Sequence, residues 1–146
     1  MILVYKEVML SKKFIFIEEE KRIQKFWEEN QVYKFDENSD KEIYSIDTPP
    51  PTVSGKQHIG HIFSYTQAEM IARYHRLLGQ NVFYPFGFDD NGLPTERLVE
   101  RELDIIGREL PRSEFRKKCL VTTNKYENEF KALWQSLGFS CDWDQE

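Results

Sequence analysis

A chain of 146 residues with 40% apolar and 14% aromatic side chains has enough hydrocarbon for one globular core, and 31% charged residues keep its surface wet. Its net charge of −5 excludes a protein that grips nucleic acid chiefly with its own cations, because that affinity rests on phosphate neutralisation. Two cysteines, Cys119 and Cys141, lack metal-type spacing and point to a reduced, intracellular setting.

The opening run MILVYKEVMLSKKFIFI lacks the form of a signal peptide, because Lys6 and Glu7 interrupt it and no small-residue cleavage site follows. Its apolar FIFI, 14–17, is far too short to span a bilayer. A cytoplasmic protein with no membrane or DNA partner is the expectation. Ile23, Phe26 and Trp27 recur at i, i+3, i+4 and predict a helix over 18–29, with Asn30 as its stop. The polar connector QVYKFDENSD leads to EIYSI, 42–46, whose β-branched and aromatic content predicts a short strand. Pro49, Pro50 and Pro51 cannot extend a central strand, so the chain leaves the sheet there. From Ile59 to Leu78 apolar residues recur at helical spacing, closed by Gly79. NVFYPF, 81–86, predicts a second strand that ends in the loop GFDDNG, 87–92. Pro94 suits a helix's first turn, and that helix is expected to reach Leu103. A long helix over 113–137 sets Phe115, Cys119, Tyr126, Phe130, Leu133, Trp134 and Leu137 on one side, with Gly138 as its cap. Cys119 is thereby expected as a small buried hydrophobe.

Strand, helix, strand, helix is a βαβ unit, which predicts an α/β fold with parallel strands and a right-handed crossover. Ligands of such sheets bind beyond the carboxyl ends of the strands. Loops 47–58 and 87–92 both leave strands at that edge and are expected to meet. The first delivers His58 to a helix N-terminus, where unpaired N–H groups and the helix dipole favour an anion, and Gly55 and Gly60 let the backbone come close to it. His58 and His61 share one side of the first turn and can donate hydrogen bonds to phosphate oxygens as negative charge grows. An ordinary pair of surface histidines is the alternative. A metal site lacks its third ligand, since no Cys or further His clusters with them. His75, between Tyr74 and Arg76, is expected to be solvated. Asp89 and Asp90 precede Asn91-Gly92, and read either as a turn or as a carboxylate placed to hold an ammonium group. Phosphates beside an ammonium suggest an amino acid meeting a nucleotide.

PPPTVSGKQHIGH resembles the HIGH signature region of the class I aminoacyl-tRNA synthetases. RYHRLLGQNVFYPFGFDDNGLPTERLVE, 73–100, is similar to the stretch that follows it in valyl-tRNA synthetases, particularly of the archaeal-type branch. KFWEENQVYKFD, 25–36, and YENEFKALWQSLGFSCDW, 126–143, are similar in kind, so the resemblance runs from about residue 20 to the end. Isoleucyl and leucyl enzymes share the layout; GFDDNGLPTE and the triple proline favour valyl.

The resemblance implies the first half of a doubly wound, Rossmann-like parallel sheet with an N-terminal helix and a long C-terminal helix. Residues 1–40 would be an extension and helix, and 41–146 the first half of the catalytic domain, truncated before the editing insertion. It implies ATP binding by Gly55, His58, Gly60 and His61, with the two histidines acting catalytically on the triphosphate and Gly60 lying against the adenine. Asp89 is expected to hold the α-ammonium of the amino acid, with Asp90 the less closely matched neighbour, and Pro50 to line the side-chain pocket. The implied partners are ATP accompanied by Mg²⁺, valine and tRNA(Val), with no metal held by the protein itself. The family's KMSKS loop, editing domain and anticodon-binding domain are absent from this sequence, and its first 22 residues exceed the usual lead-in. A fragment of a larger enzyme, inactive in isolation, is therefore expected, and half a sheet would leave apolar faces uncovered and prone to association. An isoleucyl- or leucyl-tRNA synthetase fragment, or a non-catalytic relic serving as a binding module, is the alternative.

Overall fold

Residues 13–145 are described by the computed structural model; the reading of the opening run falls largely outside them, on residues 1–12. The chain divides into two compact units, Met1–Val32 and Tyr33–Glu146. In the first, helix α1 spans Phe16–Glu29, starting two residues ahead of the predicted 18–29. Glu18 and Glu19 occupy its first turn, where carboxylates complement the positive end of the dipole. Ion pairs Arg22–Glu19 at 2.7 Å and Lys25–Glu29 at 3.5 Å brace its surface. Asn30 stops it as expected, its side-chain amide donating to the Phe26 carbonyl at 2.8 Å.

The second unit carries β1 (Ile43–Ser45), α2 (Ile59–Leu77), β2 (Asn81–Phe83), α3 (Leu93–Leu103), a 3-10 turn (Gly107–Glu109) and α4 (Arg112–Ser136). The strands pair in parallel, Ile43 with Asn81, Tyr44 with Val82 and Ser45 with Phe83. Both are shorter than the predicted 42–46 and 81–86. One further bond, Ile46 N–H to the Phe83 carbonyl at 2.9 Å, closes the ladder before the prolines. Beyond Phe83 the β2 segment turns to a different neighbour: the Tyr84 carbonyl accepts the Asp142 N–H at 2.9 Å, and Pro85 bridges Asp142 in parallel. Asp142 is thus joined to the stretch after β2 by a single bridge outside the two-stranded sheet.

Helix α4 buries Thr122, Thr123, Tyr126, Phe130 and Trp134, a stripe at helical spacing. Trp134 is completely buried, with ring centroids 5.1 Å from Tyr65, 5.8 Å from Phe86 and 5.0 Å from Phe139. Gly138 ends α4 at φ 76°, a left-handed turn that lets the Phe139 N–H reach back to the Trp134 carbonyl at 3.1 Å. Four predicted members of the stripe are not fully buried: Phe115 and Leu133 are half-buried, and Leu137 and Cys119 differ as well. Leu137 is 46% exposed, because it lies past the last helical residue. Cys119 is only half-buried, with burial and then the nearby Glu96 carboxylate pushing its thiol up. The buried thiol is Cys141.

A buried carboxylate ties α2 to the segment after α4. Glu69 accepts from the Ser140 backbone N–H at 2.9 Å, the Ser140 hydroxyl at 3.1 Å and Arg73 Nε at 2.6 Å. Arg73 also donates to the Gly138 carbonyl and Arg76 to Ser140 Oγ, while both guanidiniums lie over the Tyr33 ring. Burying a carboxylate is tolerable only when its lone pairs are so occupied. His75 is not solvated as expected. Its ring stacks on Tyr44 of β1, 3.3 Å between centroids and 9° from parallel, and its Nδ1 meets Gln80 Oε1.

Candidate functional site

The two loops beyond the strand ends meet. Asp89 N–H donates to the Pro51 carbonyl at 3.0 Å, and Val53 N–H donates back to the Asp89 carbonyl at 2.7 Å. This parallel bridge of Thr52 with Asp89 uses carbonyl groups only on the proline side until Val53, since a proline has no N–H to offer. Val53 is fully buried beneath the crossing. The Asp89 carboxylate is half-buried, taking the Thr52 hydroxyl on one oxygen at 3.1 Å and the Asn91 N–H on the other at 3.3 Å. An ionised carboxylate has about four acceptor positions, so two are left for a cationic partner. Asp90 instead accepts from its neighbour, the Asn91 side-chain amide at 2.9 Å. That is the turn-forming role.

The proline run is moored to α2. Tyr65, on the buried face of the helix, donates its hydroxyl to the Pro49 carbonyl at 2.5 Å, and burial raises its phenol above the ordinary range. Pro50 is exposed beside this mooring, and Gly55 sits at φ 148° with open space where a Cβ would stand. The mooring fixes the course of the loop into the first turn of α2.

His58 is the N-cap of α2. Its Nδ1 accepts the Gly60 N–H at 3.1 Å, and the Nδ1 of His61 accepts the His58 N–H at 3.3 Å. The two side chains thus form a reciprocal capping box with imidazoles in the places more often held by Ser and Glu. Their ring centroids are 4.0 Å apart, on one side of the first turn as the spacing predicted. A Cβ on Gly60 would lie 2.9 Å from Cε1 and 3.0 Å from Nδ1 of His58, so the motif's glycine makes room first of all for the motif's own histidine. Burial, and secondarily the charge of His58, hold His61 below the ordinary histidine value.

Sequence reasoning missed Thr52 and Tyr65. Neither residue type signals a ligand site; each is placed by a partner far away in the chain. Gln57, just before the cap, buries its side-chain oxygen without a hydrogen-bond partner among the described residues. A cleft of about 910 Å³ lies elsewhere, between α3, the 3-10 turn and the start of α4, with Arg97, Arg101, Arg108 and Arg112 around Leu93 and Phe115. None of the sequence-predicted site residues lines it. Among the described residues no helix is long and apolar enough to cross a membrane, and no group of three or more His, Cys, Asp or Glu could hold a metal ion.

Two loops bonded to each other beyond the ends of parallel strands, one of them leading into α2, follow the layout in which α/β domains place their ligands. Residues 22–146 match the family model for tRNA synthetases class I (I, L, M and V), and the chain belongs to that family. Its sheet and crossover are the first part of the family's Rossmann-like domain. Within the family the chain is similar to valine–tRNA ligases. That of Rickettsia prowazekii is 52% identical over 136 residues, covering 92% of this chain and 17% of that protein. That of Wolbachia sp. subsp. Brugia malayi is 50% identical over 138 residues, covering 94% and 16%. The chain therefore spans about 17% of the length of the curated relatives it matches. In three dimensions it resembles the LeuRS of Agrobacterium radiobacter K84 in its ternary complex with tRNA and LeuAMS, with TM-score 0.75, 24% identity, and 90% of this chain and 15% of that one covered.

Proposed function

We propose that this chain supplies the ATP-facing part of the activation site of a valine–tRNA ligase, in which valine and ATP give valyl-adenylate and pyrophosphate before transfer to tRNA(Val). The observation that carries the reading is the meeting of two loops: Asp89, backbone-paired to Pro51 and Val53, faces the same edge as the His58–His61 cap. Phosphate oxygens would take hydrogen bonds from the two imidazoles at the capped start of α2, where the helix dipole favours negative charge. The α-ammonium would rest on the free lone pairs of Asp89. Pro50 is exposed and rigid, which suits a wall of the amino-acid pocket, and Gly55 leaves its loop open to the nucleotide. Catalysis by such a site is positioning and electrostatic stabilisation, with no protein nucleophile. Mg²⁺ belongs to the reading as the companion of ATP, bound through the phosphates. Cytoplasmic residence and membership of the archaeal-type branch belong to the same reading. So does inactivity of this chain alone, which holds no KMSKS sequence.

The test is amide shift mapping on the ¹⁵N-labelled chain with ATP and valine added separately and together. Shifts at Gly60, His61 and Ile62 on ATP, and at Asp89 and Val53 on valine, are expected. Shifts confined to the arginine-rimmed cleft between α3 and α4, or none at any concentration, would reject the assignment. Valine-dependent pyrophosphate exchange by the chain alone would reject its inactivity.

A further inference from the structure

We infer that the capping box of α2 locks both motif histidines as neutral imidazoles carrying their proton on Nε2, so that the cap chooses the atom each ring presents to a ligand. A backbone N–H can only donate. The Gly60 N–H points at Nδ1 of His58 and the His58 N–H at Nδ1 of His61, so both Nδ1 atoms are lone pairs. In a neutral imidazole the remaining nitrogen then bears the hydrogen. Nε2–H is thereby left as a donor on each ring, held in direction by the helix start itself. This deepens the nucleotide reading above and rests on it for the ligand: phosphate would be met by two neutral donors plus the helix dipole, without imidazolium charge.

Protonation of either ring would set an N–H against an N–H and open the cap. Lys56 precedes the pair on the same loop, and Asp89 and Asp90 stand on the loop bridged to it through Thr52; burial first, and then any proton placed on His58, disfavours a proton on His61. Because His61 is held below its ordinary 6.5, the unfolded chain binds the proton more readily than the folded one. The stabilisation is complete above that ordinary value and is lost as pH falls through the lowered folded value. The site is thus closed for work at neutral pH and unlatched by acid.

Long-range ¹H–¹⁵N correlation of the imidazoles in the unliganded chain at neutral pH tests the tautomers. His58 and His61 are expected to show a bare Nδ1 and a protonated Nε2. His75 is the internal reference with the opposite pattern: the Gln80 amide donates to Glu42 at 2.8 Å, which leaves Gln80 Oε1 to accept from His75 Nδ1–H. A protonated Nδ1 on either motif histidine overturns the inference. Two substitutions then separate cap from donor. His58→Asn puts an amide oxygen where Nδ1 stood and keeps the cap; His58→Gln reaches the Nε2 position and loses it. The Asn variant is expected to melt within about 1 °C of the parent and the Gln variant about 3 °C lower. Equal melting of the two overturns the inference as well. Neither readout involves nucleotide, so failure of ATP binding would count against the proposed function and leave this result standing.

Discussion

At Asp89 the backbone builds the loop crossing and the side chain remains partly uncommitted, so charge can be removed without removing shape. Asp89→Asn keeps an acceptor for the Asn91 N–H and reverses the other bond, its amide donating to the Thr52 hydroxyl oxygen. It should weaken valine binding about tenfold or more while leaving the melting curve in place, because an ammonium held by a carboxylate gains roughly twice what a neutral acceptor gives. Unchanged affinity by calorimetry would remove Asp89 from the ammonium role. Gly60 is constrained differently. The Cβ of Gly60→Ala would press on the His58 ring, which must swing away from the helix start. ATP affinity is expected to fall about tenfold, equivalent to about 1.4 kcal/mol, with helix content by circular dichroism unchanged. Full affinity in that variant would mean the ring's position is not what the glycine protects. The pairing of His58 with His61 was legible from spacing; the inward turn of both Nδ1 atoms was not, because a side-chain torsion leaves no mark in a one-dimensional pattern.

Between elements, single hydroxyls carry much of the fixing. Tyr65→Phe deletes the bond to the Pro49 carbonyl and leaves that carbonyl without its hydroxyl partner, so a loss of about 1 kcal/mol is expected. Faster amide exchange at Val53 and Asp89 should accompany it, since their mutual bonds depend on the course of the proline run. Unaltered exchange there would show that the crossing holds without its mooring. Helices α3 and α4 are tied by the Tyr126 hydroxyl, which donates to Glu102 at 2.5 Å, with Lys125 3.5 Å from the same carboxylate. The bond from Tyr126 holds Glu102 below its ordinary 4.5, while Glu102 pushes the Tyr126 phenol up to about 12. The tie is therefore complete between the two ordinary values. It weakens as pH falls through the lowered carboxylate value, and again as pH rises through about 12. Ultraviolet tyrosinate titration of the parent minus Tyr126→Phe should place this phenol near 12; a difference transition near 10 would contradict the tie.

Over the whole molecule, α2 shows two apolar faces. One buries Tyr65 and Ala72; the other holds Ile59, Phe63, Met70, Tyr74 and Leu77, which are 78, 68, 68, 58 and 87% exposed. These five fall within a narrow arc at helical spacing, the kind of stripe that a globular surface seldom leaves open. Self-association of the chain at micromolar concentration is expected by sedimentation velocity, and Met70→Glu should reduce it. A monomer at every concentration would show the stripe to be stable in water as it is.

Periodicity determined the elements of this protein, since a 3.6-residue repeat, a proline run and a glycine stop act through neighbours within a turn. Helices 16–29, 59–77 and 112–136 and both strands fell within a few residues of their predicted spans for that reason. The order of those elements and the residue blocks around His58 also sufficed for the family. Tertiary structure alone decided the partners. Thr52 meets Asp89 across 37 residues and Glu69 meets Ser140 across 71. His75 was misread because its stacking partner, Tyr44, lies on another element. The ends of both strands were set by which neighbour came to hand, the prolines on one side and Asp142 on the other. Local torsional preferences are written residue by residue. Contacts closed over long loops exist only once the core around Trp134 has collapsed and brought them within bonding distance.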